Sequence, residues 1–75
     1  MKELIEYIAK AIVNAPDGVK VTEENNEGVI LLKLEVEADD KGRVIGRQGR
    51  VAESMRTLLR VMATKQGVRA RLEIV

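Results

Sequence analysis

Between Val29 and Glu37, the residues Ile30, Leu32, Leu34 and Val36 alternate with Leu31, Lys33, Glu35 and Glu37. Successive side chains of an extended chain point to opposite faces, so this stretch predicts a strand with one buried face and one mostly polar face. Such a strand needs partners at its edges and a cover for its apolar face. Two other segments share its period. Val68, Ala70, Leu72 and Ile74 alternate with Arg69, Arg71 and Glu73, and Val19 and Val21 share one face of a shorter strand from Val19 to Glu23. The segment Asn25-Asn26-Glu27-Gly28 reads as a hairpin connection into the central strand, because Asn and Gly tolerate positive φ.

The cover is helical. From Lys2 to Asn14, Leu4, Ile5, Ile8, Ala11 and Ile12 follow a 3.6-residue period. Ala15-Pro16-Asp17-Gly18 ends this helix, since Pro16 drives Ala15 out of the helical region and Asp-Gly favours a turn. Asp39 or Asp40 caps a short helix running to about Ile45. After a glycine-bearing corner, Val51, Met55, Leu58, Leu59 and Met62 form the apolar stripe of a longer helix that ends before Gly67. The order is α-β-β-α-α-β. It predicts an α+β, two-layer fold with three helices on one face of a three-stranded sheet. With 75 residues, one such core uses the whole chain, and residues 1–75 form a single domain.

Composition removes several kinds of chemistry. There is no Cys and no His, so no disulfide, no thiolate metal site and no imidazole base is expected. The pair Asp39-Asp40 precedes a helix, where capping explains it, and Ser54 has no base near it in sequence. The glycines at 42, 46 and 49 fit neither the dinucleotide fingerprint nor the P-loop. No catalytic residue, metal ligand or cofactor is therefore expected, and the chain is not read as an enzyme. The longest apolar run, Val29 to Leu32, is far too short to span a bilayer, and the first ten residues carry acids where a signal peptide has a basic region. A soluble, cytoplasmic protein without a membrane partner is the expectation.

The formal net charge of +1 conceals a division. Residues 1–37 hold four lysines against eight acids, whereas residues 38–75 hold nine bases against four acids and contain every arginine. Within the basic half lies Val44-Ile45-Gly46-Arg47-Gln48-Gly49-Arg50, with Lys41 and Arg43 one turn before it. Two glycines between helices are explained by a tight turn alone. A second function uses the same geometry: without Cβ atoms a phosphate approaches the main chain closely, and the following helix presents free N–H groups and the positive end of its dipole. Arg47 and Arg50 add charge there, and Gln48 adds neutral hydrogen-bonding groups. Arg69 and Arg71 read as ordinary solvated strand positions. Arg56 and Arg60, four apart on one helix face, either extend the basic track or are solvated, and the solvated reading is preferred.

A GxxG pair joining two helices, preceded by Val44-Ile45 and flanked by strands, resembles the core motif of KH domains, usually written Val-Ile-Gly-x-x-Gly-x-x-Ile. The order α-β-β-α-α-β is similar to the type II, bacterial form, and the short length resembles the KhpA family of small RNA-binding proteins. One position departs from the motif: its last Ile is Ala52 here, which implies a groove floor that is shallower or differently packed. The resemblance implies a single-stranded RNA site in which Gly46, Arg47, Gln48, Gly49 and Arg50 hold the backbone of about four nucleotides. It further implies that Val44, Ile45 and apolar groups on the neighbouring helix and strand form a narrow groove for bases, with Lys41 and Arg43 as rim charges. Self-association as a homodimer, or pairing with a larger KH-containing protein of the KhpB family, and a role as RNA chaperone or post-transcriptional regulator, are implied as well.

Aromatic stacking platforms are nearly absent: Tyr7 is the single aromatic residue and is expected at the packing edge of the first helix. Modest affinity and low selectivity follow. A helix-turn-helix DNA reader fits less well, because the first turn after Arg50 is Val51-Ala52-Glu53 and carries no base-reading set. A protein-interaction or dimerisation module with an incidental basic loop is the alternative, with Leu31, Val29 and Val75 as an apolar patch on the sheet.

Overall fold

In the computed structural model, which describes residues 1–75, the alternating segment becomes the middle of a three-stranded sheet ordered β1-β2-β3. Strand β1 (Lys20–Asn26) pairs antiparallel with β2 (Val29–Glu35), and β3 (Arg69–Ile74) pairs parallel with β2. A parallel return needs a crossover. It is made by the short helix α2 (Lys41–Ile45) and the long helix α3 (Arg50–Gln66), while α1 (Lys2–Ile12) precedes the sheet.

Cross-strand register places Val21, Leu34 and Ile74 in one row and Ile30 and Ala70 in another, with Leu32 and Leu72 between them. These residues face Ile5 and Ala9 of α1, Val44 of α2, and Met55 and Leu59 of α3, forming one core with all three helices on the same side of the sheet. The predicted order and layering are those observed.

Differences lie in the boundaries and in the helix faces. The hairpin turn is only Glu27-Gly28, both at positive φ (51° and 82°), and β1 runs on to Asn26, which pairs with Val29. A two-residue turn of this hand matches the strand twist, so Asn25 and Asn26 are taken into the ladder. On α3 the buried residues are Ala52, Met55, Leu59 and Ala63, while Leu58 is 46% exposed. With Met55 and Leu59 turned into the core, Leu58 lies about 100° around the helix from Leu59 and faces outward. Tyr7, expected at a packing edge, is 76% exposed. The end of α3 is closed by Gly67 at φ 72° and by the Val68 N–H donating to Ala63 O at 2.9 Å, a Schellman arrangement that leads into β3 within two residues.

Asp40 also departs from expectation. It precedes α2, yet its side chain makes no capping bond to that helix. The carboxylate is buried and accepts the backbone N–H groups of Asn14 (3.0 Å) and Ala15 (3.0 Å), tying the segment after α1 to the start of α2. The bend before Pro16 leaves those two donors without helical partners, and a buried donor needs an acceptor.

Candidate functional site

The corner between α2 and α3 is preformed. Gly46 N–H donates to Gly42 O at 2.9 Å and Gly49 N–H to Gly46 O at 3.1 Å, while Arg50 N–H returns to Arg47 O. Gly46 sits at φ 79°, ψ 172°, a region of backbone space open essentially to glycine alone. A Cβ at Gly46 would stand 2.8 Å from Val51 Cβ and 2.9 Å from Val51 N, whereas one at Gly49 (φ 74°) would meet nothing within 4 Å. The first glycine is therefore required twice over, by conformation and by close contact with α3. Gln48 adopts φ 58°, ψ 24° at the tip, a left-handed conformation costing a residue with a side chain about 1–2 kcal/mol.

No side chain caps α3, whose N-cap is the left-handed Gly49. Its first-turn N–H groups and dipole thus lie at the corner, a favourable place for an anion. Arg47, Gln48 and Arg50 are exposed around it, and no carboxylate lies within 4.0 Å of Arg47, Arg50 or Lys41. A depression of about 600 Å³ beside the corner is lined by Gln48, Arg50, Glu53, Ser54, Thr57 and Leu58.

Nine residues were singled out from sequence, and chain continuity brings them into one segment, but they divide by environment. Gly46, Arg47, Gln48, Gly49 and Arg50 make the corner. Ile45 is 41% exposed beside it, whereas Val44 is fully buried in the core and supports the corner from behind. Lys41 is exposed at the start of α2. Arg43 is held back: its Nε lies 3.7 Å from the Asp40 carboxylate. Asn14, with its amide oxygen turned toward Arg43, accepts from Nη2 at 3.0 Å and Nε at 3.3 Å. Arg56, for which the sequence favoured a solvated position, is half-buried; it pairs with Glu53 at 3.1 Å and donates through Nη2 to Leu72 O on β3 at 3.5 Å. Its spacing relative to the corner was visible in the sequence, but its approach to β3 was not, because the two residues are brought together only by the crossover.

A mixed three-stranded sheet, three helices on one face and a Gly-x-x-Gly corner joining the second and third helices define a KH domain of type II topology. The chain belongs to the KhpA/KhpB family: the family model described as "KhpA/KhpB, KH domain" matches residues 2–74. It is similar over 75 residues, at 45% identity, to the RNA-binding protein KhpA of Clostridium acetobutylicum, with 100% of both chains covered. A protein of the same name from Treponema pallidum is 46% identical over 74 residues, covering 99% of this chain and 92% of that one. The Listeria monocytogenes KhpA is 43% identical over 75 residues. No solved structure matches the chain.

Proposed function

We propose that this protein binds single-stranded RNA without converting it chemically, and that the Gly46–Gly49 corner holds the sugar-phosphate backbone. The observation that carries the reading is the corner itself: a preformed loop with a glycine-only conformation at Gly46, an uncapped helix N-terminus, and unpaired Arg47 and Arg50. Preorganisation means that little ordering is lost when a ligand binds. Relatives named RNA-binding protein KhpA support the same ligand class. Ile45 offers an apolar border for a base, and Lys41 a rim charge. No aromatic side chain lies on the corner, so affinity is modest and base selectivity low. The five-residue α2 and the buried Ala52 on the first turn of α3 argue against major-groove reading.

The protein acts in the cytoplasm as an RNA chaperone or post-transcriptional regulator, as a homodimer or with a larger KhpB-type partner. Leu58 and Val61, 46% and 51% exposed on one face of α3, favour such a protein contact, because three-residue spacing on a helix makes them neighbours.

The test is binding of labelled single-stranded RNA across a salt series by the wild type and by Arg47→Asp with Gln48→Asp. Three or four neutralised phosphates give a wild-type slope of about −2 to −3 in log K against log salt. The double variant keeps both glycines; it is expected to stay folded by circular dichroism and to lose binding. Equal binding by both proteins would reduce the corner to a turn.

A further inference from the structure

Helix α2 carries the corner at its C-terminal end but has little of its own to hold it in place. Its five residues are too few for a helix to persist without tertiary contacts, and Val44 is the one side chain it buries. A single apolar anchor fixes where a helix lies but leaves it free to turn about that point. The far end is set by the close approach of Gly46 to Val51 of α3. The near end is set by a polar ring. Asp40 Oδ1 and Oδ2 accept the N–H groups of Asn14 and Ala15, each at 3.0 Å, and Arg43 Nε lies 3.7 Å from Oδ1. The ring closes through the Asn14 amide oxygen, which accepts from Arg43 Nη2 at 3.0 Å and Nε at 3.3 Å. Side chains from segments 26 residues apart thus hold one another, and Arg43 stands about one turn before Gly46.

Arg43 differs in this from its neighbours. Lys41, Arg47 and Arg50 have no carboxylate within 4.0 Å, whereas Arg43 commits its planar fork to Asp40 and Asn14. To reach a phosphate it would leave a carboxylate only 2% exposed without its cation, and a buried charge that loses its partner is strongly destabilised.

We infer that Asn14 and Asp40 are positioning residues for the corner, and that Arg43 acts as their clamp and not as a phosphate contact. The inference rests on the RNA-binding reading above. The donors of the corner suit a sugar-phosphate backbone only while α2 and α3 keep a fixed angle. The ring ties α2 to the end of α1, which is itself fixed to the sheet through Ile5 and Ala9. Opening it leaves the charges and glycines of the corner in place but loosens their arrangement, so that ordering has to be supplied when the ligand binds.

Binding of a labelled 12-nucleotide single-stranded RNA of mixed sequence is measured across a salt series on the whole chain, together with amide exchange by NMR. Asn14→Ala changes no charge and no residue of the corner. It is expected to bind about fivefold more weakly with the salt slope of the wild type. The Gly46 and Gly49 amides, which close the corner through Gly42 O and Gly46 O, exchange faster, while those of Leu32 and Leu34 in the central strand keep their wild-type rates. Faster exchange confined to the corner separates positioning from a general loss of stability. Arg43→Lys keeps the charge but not the fork, and Arg43→Gln keeps neither; both are expected to match Asn14→Ala, with the slope unchanged.

An Asn14→Ala protein that binds like the wild type overturns the inference. Exchange that rises equally in the corner and the central strand does so too, because the ring then serves stability alone. A slope flattened by about 0.7 in Arg43→Gln, with Arg43→Lys binding like the wild type, makes Arg43 a phosphate contact and is equally fatal. In each of these cases, loss of binding in Arg47→Asp with Gln48→Asp leaves the corner reading standing. Wild-type protein that binds no RNA overturns both.

Discussion

Gly46 and Gly49 occupy equivalent places in the motif but carry different burdens. An Ala at Gly49 meets open space and carries only the left-handed penalty, so Gly49→Ala is expected to cost about 1 kcal/mol. At Gly46 the same substitution adds a steric conflict with Val51 to a glycine-only conformation, and about 3 kcal/mol or more is expected. Urea unfolding of the two variants measures the difference; equal losses would show that contact with α3 does not matter. Asp40→Ala belongs to the same scale. It strands the N–H groups of Asn14 and Ala15 and releases Arg43, for an expected loss of about 3 kcal/mol. Asp40→Asn keeps one acceptor oxygen and is expected to lose roughly half of that in the same assay.

Among the elements, α3 shows most clearly what periodicity can resolve. Leu58 and Leu59 are adjacent and chemically identical, yet Leu59 is 1% exposed and Leu58 46%. Leu59→Ala is expected to cost about 2–5 kcal/mol through lost burial and the cavity left behind. Leu58→Glu is expected to change stability by no more than about 0.5 kcal/mol in the monomer. Thermal or urea unfolding at low protein concentration checks both. The sequence placed both leucines on one apolar stripe, because a 3.6-residue period defines a broad arc and not the centre of it. That centre falls between Met55 and Leu59, the α3 residues that join the core, and Leu58 lies about 100° around the helix from Leu59. Similarly, β1 contains one buried residue, Val21, so its far end was not visible as a strand; the ladder to β2 and the tight Glu27-Gly28 turn extend it.

For the molecule as a whole, the division of charge becomes a division of surface. The acids of the first half lie largely on α1, β1 and the loops, while the arginines gather around α3, the corner and β3. No helix is long and apolar enough to cross a membrane. A 75-residue chain has a small core and gains much from association. If the exposed Leu58 and Val61 meet a second copy, the urea midpoint rises with protein concentration in the wild type and becomes independent of it in Leu58→Glu. A midpoint unaffected by concentration in both proteins would leave the apolar residues of α3 without a self-association role.

The element order, the buried face of β2 and the glycine corner could be read from the sequence alone, because each is written in local chemistry: alternation, helical period, and two glycines at a chain reversal. Other features required the folded chain. The buried Asp40 grips backbone from 25 and 26 residues away, and Val44 turns inward beside an outward Ile45. Arg56 meets a strand carbonyl 16 residues distant, and Arg69 and Arg71, unremarkable in sequence, lie beside Arg56 and Arg60 along an open strand edge. Such contacts join segments distant in the chain, and their geometry depends on where the parallel crossover places α3 over β3, a choice that no local pattern encodes.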